Sequence, residues 1–227
     1  MALRTMASSD RRLLLVVGLG STVGFAALAA NGAGGWTAFF SEPARGAVVL
    51  VALVAAASIG FTEGNVSTGV RMGGGNGGVM FGMILWTPLL AWLPAWLERR
   101  GVWVVDGDVV RWIGVVLFAV GCVLRVWPMF VLGHRFSVFV AIQPGHTLVT
   151  SGPYRLVRHP SYLGGLIALV GWALVFRSVA GLLLILPPLA ATIARVRAEE
   201  QTLAEEFGQE YAAYRRATPW RLVPGAY

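Results

Sequence analysis

HTLVTSGPYRLVRHPSYLGG, residues 146 to 165, gathers two histidines, two arginines, two tyrosines and two prolines in a chain otherwise dominated by apolar side chains. Loops and element ends tolerate polar chemistry because they need not bury unpaired backbone groups, so a polar run between hydrophobic segments is where a site is expected. Pro153 and Pro160 restrict the residues before them, which predicts a shaped loop here in place of a continuous helix. The remainder of the chain reads as a scaffold around this stretch.

That scaffold is a membrane one. With 56% hydrophobic and only 13% charged residues, and a mean hydropathy of +0.69, the chain is too apolar for a soluble domain. A formal net charge of +7 raises the question of nucleic acid. The arginines stand in short clusters flanking apolar runs and not along one solvated face, so no nucleic-acid partner is expected. All 18 basic residues are arginine. That reads as coding bias, although arginine is the better partner for carboxylates and phosphates. The single cysteine, Cys122, excludes an intrachain disulfide and lies in an apolar run, where a buried structural thiol is expected.

Along the chain, Arg4, Arg11 and Arg12 precede an apolar run from Leu13 to Ala30. Its small-residue end, Ala27, Leu28 and Ala29, has the outline of a signal-peptide site. With numbering from Met1 the run is read as a first transmembrane helix with its basic end in the cytoplasm. Gly18, Gly20 and Gly24 within it are expected to serve close helix packing, since no strand precedes them to make a nucleotide fingerprint. A polar connection, residues 31–45, leads to a second span, Gly46 to Phe61. Thr62 to Gly78, with the run GGGNGG, reads as a flexible connector. Val79 to Leu97 is the third span, with Trp86, Trp92 and Trp96 toward the headgroup layer. Glu98 to Arg111 is expected outside the membrane, with a solvated turn at Asp106, Gly107 and Asp108 and no metal site. Trp112 to Leu132 is the fourth span. Arg125 near its interior has two readings, lining a substrate cavity or snorkelling to the interface.

After the motif, Tyr162 to Phe176 and Val179 to Ala194 form a short antiparallel hairpin about Arg177 and Ser178. At about 24 Å each arm is shorter than the roughly 30 Å hydrocarbon core, so the pair either spans with local thinning or is re-entrant. Pro187 and Pro188 are expected to kink the second arm. The fold class is therefore an all-α integral membrane protein: four transmembrane helices plus a short carboxyl-terminal helical hairpin, five to six membrane segments in all, and a cytoplasmic amphipathic helix. The latter is predicted from Leu203, Phe207, Tyr211 and Tyr214, which share a helical face, with Gly208 bending it. On this topology twelve arginines lie inside against five outside, which supports a cytoplasmic motif loop and tail. The organisation divides into residues 1–132, amino-terminal transmembrane helices, and 133–227, a catalytic core.

GPYRLVRHPSYLGG together with EEQTLAEEFGQEYAAYRRATPWRLVP resembles the isoprenylcysteine carboxyl methyltransferase family and its phospholipid methyltransferase relatives, over roughly residues 130 to 224. The resemblance implies a membrane-embedded methyltransferase that uses S-adenosylmethionine. Motif to motif, it implies that His146, Thr147, Leu148, Val149 and Tyr154 contact the cofactor, with His159, Pro160, Ser161 and Tyr162 as a second contact segment. It also implies that Glu199 contacts the cofactor and that Arg195, one turn earlier, stands at the acceptor as a substrate-binding and catalytic residue alongside Glu199. Without it, Arg195 and Glu199 read equally as an ion pair on one helical face. Arg125 is added as a substrate-binding candidate, and the match of Gln143 to a family glutamine stays open.

The chemistry suits these residue types. Methyl transfer from a sulfonium is governed by positioning and desolvation. A carboxylate acceptor needs only orientation, which a guanidinium provides through paired hydrogen bonds, whereas an amine or phenol must also lose a proton, for which His146 or His159 would be the base, although cofactor contact is the favoured reading of both. The expected acceptor is a lipophilic small molecule or lipid, with carboxylate O-methylation favoured, in a bacterial inner membrane with the site facing the cytoplasm. The alternatives are an NADPH-dependent membrane reductase of the sterol-reductase type and a non-catalytic lipid-binding membrane protein. Three histidines and one cysteine make no metal-ligand spacing.

Overall fold

The computed structural model describes residues 8–61, 71–72, 76–132, 141–142 and 148–227. Its architecture is a bundle of apolar helices: α1 (Ser8–Ala33), α2 (Trp36–Phe40), α3 (Pro43–Ile59), α4 (Asn76–Arg99), α5 (Asp108–Leu132), α6 (Pro160–Val175), α7 (Val179–Leu183) and α8 (Leu186–Ala217). Two residues on each side, Arg71–Met72 and Ala141–Ile142, pair antiparallel. Of the connector expected at 62–78, residues 62–70 and 73–75 lie outside the described residues and the last three already belong to α4; His134, Arg135, Gln143, His146 and Thr147 also lie outside the described residues. Among the described residues, three stretches are long and apolar enough to cross a membrane, Leu15–Ala33, Asp108–Leu132 and the run starting at Val179; Pro43–Ile59 and Pro160–Val175 are apolar but shorter. The chain is an integral membrane protein.

The tightest contact is between α5 and α6, and glycine makes it possible. Gly114 and Gly121 stand two turns apart on α5, facing Gly171 and Gly164 on the antiparallel α6. A Cβ on any of the four would fall 2.4–2.6 Å from backbone atoms of the other helix. Only residues without a side chain allow this approach, the small-residue packing that suits helices in lipid. The glycines of α1 behave differently from expectation. Gly18 meets Ala56 only at 3.8 Å and a Cβ on Gly20 or Gly24 would meet nothing within 4 Å, because that face looks outward; the close approach of α1 is at Gly32, whose Cβ would lie 2.5 Å from the Trp92 carbonyl of α4.

One end of the bundle is closed by a buried charge cluster at the two ends of the segment expected outside the membrane. Glu98 is buried at the end of α4 and receives Arg45 of α3 at 2.8 Å, Arg111 of α5 at 2.5 Å and Arg177, after α6, at 3.3 Å. Arg111 also donates to the Val175 carbonyl at 3.0 Å. Buried charge persists only when paired, so four separated segments are held by one carboxylate. Beside it, Phe39, Val48, Trp172, Val175 and Phe176 form the apolar core. The expected turn is present, with Gly107 at φ +106° before α5 begins at Asp108.

The carboxyl-terminal hairpin also departs from expectation. Pro187 and Pro188 do not kink a continuous arm: α7 stops at Leu183, and the prolines sit in the first turn of a new helix, α8, where a missing N–H costs nothing. Nor is the polar helix separate from the membrane arm. α8 runs on past Ala194 and bends at Gly208 (φ +48°), with Ala217 its last residue. The bend at Gly208 is as anticipated, since a positive φ there favours glycine.

Candidate functional site

The site lies at the opposite end of α5 and α6 from Glu98. Gly152–Arg155 form a single 3-10 turn with Gly152 at φ +60°, and α6 begins at Pro160, so the motif is the shaped loop that its prolines predict. Ser161 and Arg125 are locked reciprocally: the Ser161 hydroxyl donates to the Arg125 carbonyl and Arg125 Nη1 donates to the Ser161 carbonyl, each at 3.3 Å. One turn on, Gly164 sits against the Arg125 backbone nitrogen. The glycine seam thus fixes where α6 starts relative to α5.

α8 supplies the other wall. Pro188, Thr192, Val196 and Glu200 are buried at intervals of four, one stripe turned into the protein. Arg195 and Glu199 stand one residue before members of that stripe and face Tyr162. Its hydroxyl accepts from Arg195 Nε at 2.7 Å and donates to Glu199 Oε2 at 2.8 Å, and the guanidinium carbon lies 5.8 Å from the ring centre. The two residues read as a possible ion pair are therefore joined through a phenol from another helix. Arg125 lies within electrostatic reach of Tyr162 and Arg195.

Glu200 makes a second centre. Arg158 Nε donates to its Oε1 and Arg221 Nε to its Oε2, both at 2.8 Å, and His159 Nε2 lies 3.4 Å from Oε1. Burial works against this carboxylate's charge, but the hydrogen bonds from His159, Arg158 and Arg221 outweigh it and hold its pKa well below the usual range. The tail is laid against the motif by backbone as well: the amides of Arg158 and His159 donate to the carbonyls of Trp220 and Arg221, both at 2.9 Å. Arg158 Nη1 donates to the Thr218 carbonyl at 2.7 Å, and the Tyr214 hydroxyl to the Tyr154 carbonyl at 2.8 Å.

Of the residues singled out from sequence, Tyr154, His159, Pro160, Ser161, Tyr162, Arg195 and Glu199 come together here, with Arg125 beside them; Leu148 and Val149 are half-buried at the start of the described loop. His146 and Thr147 lie outside the described residues. Burial, reinforced by the Glu199 charge, raises the Tyr154 pKa and keeps that phenol neutral. Sequence reading missed Arg158, Glu200, Arg221 and Tyr211 as members of the site. The Tyr211 hydroxyl is buried without a hydrogen-bond partner among the described residues, in the mixed field of Glu200, Arg158, Arg215 and Glu199. The four-residue stripe ending at Glu200 was the available signal for that residue; nothing local marks Arg221.

Residues 109–210 match the family model described as phospholipid methyltransferase, so the likeness starts with α5 and not near residue 130. The chain is 33% identical over 150 residues to a protein-S-isoprenylcysteine O-methyltransferase of Xenopus laevis, covering 59% of this chain and 49% of that protein. It is 33% identical over 143 residues to methanethiol S-methyltransferase 2 of Bradyrhizobium diazoefficiens, covering 61% and 52%. The human protein-S-isoprenylcysteine O-methyltransferase is 30% identical over 141 residues, covering 59% and 50%. This chain thus spans about half the length of these curated relatives. The resemblance carried by the motif and the tail is to isoprenylcysteine and phospholipid methyltransferases.

Proposed function

We propose that this chain is a membrane-embedded, S-adenosylmethionine-dependent methyltransferase acting on a lipophilic acceptor, with carboxylate O-methylation favoured. The observation that carries the reading is the Arg195–Tyr162–Glu199 chain of hydrogen bonds, which joins a guanidinium to a carboxylate through a motif phenol where the apolar part of α8 ends. The names of the relatives supply the reaction class.

The residues present fit the cofactor. The Tyr211 hydroxyl, buried without a hydrogen-bond partner among the described residues and set among Glu200, Arg158, Arg215 and Glu199, marks a place for a polar group of a ligand that carries both charges. Glu199, Tyr154, His159 and Tyr162, with His146 to Val149, would hold it; it would supply a methyl group on a sulfonium. Arg195 would orient the acceptor and Arg125 would assist. A carboxylate acceptor brings no proton to remove, so the chain needs no strong base, only fixed geometry and exclusion of water. We place the catalytic unit from α5 onward, in a bacterial inner membrane with this end in the cytoplasm. A thiol acceptor is the second reading, favoured by the Bradyrhizobium relative.

Detergent-purified protein titrated separately with S-adenosylmethionine and NADPH should bind the first and not the second. Labelled methyl transfer should then be measured to N-acetyl-S-farnesylcysteine and to methanethiol. NADPH binding without S-adenosylmethionine binding would overturn the assignment, and transfer only to methanethiol would replace the carboxylate acceptor with a thiol.

A further inference from the structure

Beyond the Glu200 clamp, the tail encloses a basic groove that the proposed reaction does not use. Two adjoining cavities, about 420 and 260 Å³, share Arg215 and Arg221 in their walls; Arg158 and Arg216 line the larger and Arg197 the smaller. Five arginines from the motif, two parts of α8 and the terminal segment therefore line the two cavities, against a single carboxylate, Glu200, in the smaller. That carboxylate is already taken by Arg158 and Arg221. Arg197, Arg215 and Arg216 are exposed, and none makes a salt bridge among the described residues.

The occupant must be anionic. The proposed cofactor does not qualify, because its sulfonium and ammonium outweigh its single carboxylate and leave it cationic. Position narrows the choice further. The apolar part of α8 ends at Ala194 and Arg197 lies about 4.5 Å farther along the axis, so a hydrocarbon boundary at Ala194 would put Arg197 at the depth of the headgroups. Exposed apolar residues adjoin the lining arginines along the chain: Leu156, two before Arg158, is 68% exposed, Trp220, next to Arg221, 37% and Val223, two beyond it, 46%, and the Trp220 carbonyl accepts from the Arg158 amide. Arginines and an amphipathic ring flanked by exposed aliphatics suit a lipid interface and have no use in bulk water. Guanidinium forks match phosphate oxygens.

We propose that this groove binds the phosphate of an anionic phospholipid headgroup from the leaflet that the site faces. The test titrates short-chain phosphatidylglycerol, short-chain phosphatidylcholine and inorganic phosphate into detergent-purified full-length protein, wild type and R197Q/R215Q/R216Q. Phosphatidylglycerol should bind with saturation and phosphatidylcholine much more weakly. The triple variant should lose roughly hundredfold in phosphatidylglycerol affinity, at about fivefold for each interfacial arginine. R197K/R215K/R216K should recover most of it, and both variants should keep the wild-type circular dichroism spectrum. Equal binding of the two lipids, undiminished binding by a folded triple variant, or inorganic phosphate binding as tightly as the lipid would each overturn the proposal.

Discussion

Replacing Glu200 with glutamine tests how the tail is held on the motif. Glutamine keeps the shape but only one acceptor oxygen, while the wild-type carboxylate accepts Arg158 on Oε1 and Arg221 on Oε2. One of the two arginines must therefore face an amide NH2. The Arg221 side chain retains 30% exposure and can turn to water, whereas that of Arg158 retains 5%, so the cheaper arrangement keeps the oxygen toward Arg158 and releases Arg221. Removing one partner of a buried ion pair costs about 3–5 kcal/mol, and this partial rescue argues for the lower end, about 3 kcal/mol. Because the tail can open without the bundle unfolding, the cost should appear as local opening. Hydrogen exchange of the Arg158 and His159 amides, which donate to Trp220 and Arg221, should quicken by roughly hundredfold, together with the helical amides after Gly208. Glu98→Gln, the same change at the other end, should lower the unfolding temperature and leave those amides protected. Wild-type protection of Arg158 and His159 in a folded Glu200→Gln protein would refute the clamp. The pH dependence has a fixed sign: a carboxylate held below its ordinary value of about 4.5 contributes docking stability that is complete above that pH and is lost as pH falls below it.

The glycine seam predicts a contrast between two substitutions. Gly121→Val places side-chain atoms where even a Cβ would lie 2.4 Å from the Ala168 amide nitrogen, so α5 and α6 must separate; stability should fall by more than the usual 1–3 kcal/mol of overpacking, read as loss of monodisperse protein on extraction, while Gly24→Ala should be neutral. Tyr162→Phe removes the oxygen between Arg195 and Glu199, two charge-assisted hydrogen bonds worth about 1.5–3 kcal/mol each before solvent screening. Methyl transfer should drop by at least tenfold with the fold intact by circular dichroism; unchanged kcat/KM would remove Tyr162 from the proposed site.

Much of this was legible in the sequence because lipid leaves few choices. Apolar runs become helices, Pro153 and Pro160 break the motif into a loop, and the Leu203–Tyr214 periodicity with Gly208 gives a bent amphipathic helix. The errors share a cause. The ion cluster of Glu98 and Arg111 had no sequence signal because charge was weighed residue by residue, whereas their burial depends on Arg45 and Arg177, tens of residues away. Pro187 and Pro188 looked like a kink because the break at Leu184 and Ile185 has no marker of its own. Gly18, Gly20 and Gly24 looked like a packing face because small residues signal that a close approach is possible, and only the neighbour decides where it occurs.

The same long-range pairing explains why two adjacent glutamates on α8 have different work. Successive helical residues point about 100° apart. Glu200 continues the buried stripe of Pro188, Thr192 and Val196 and so meets Arg158 and Arg221, which arrive from the motif and the terminal segment. Glu199, rotated out of that stripe, meets the Tyr162 hydroxyl on the side where Arg195 stands. A carboxylate already committed to two guanidinium groups is a poor ligand for anything that must come and go, while one held by a single phenol keeps acceptor capacity. Glu200 therefore fixes the tail over the motif, and that fixed position lets Glu199 present its charge at a constant distance from Tyr162. Exchanging the roles by substitution is forbidden by the helix itself, since a one-residue shift of α8 would turn Glu199 into the buried stripe and carry Arg195 away from Tyr162.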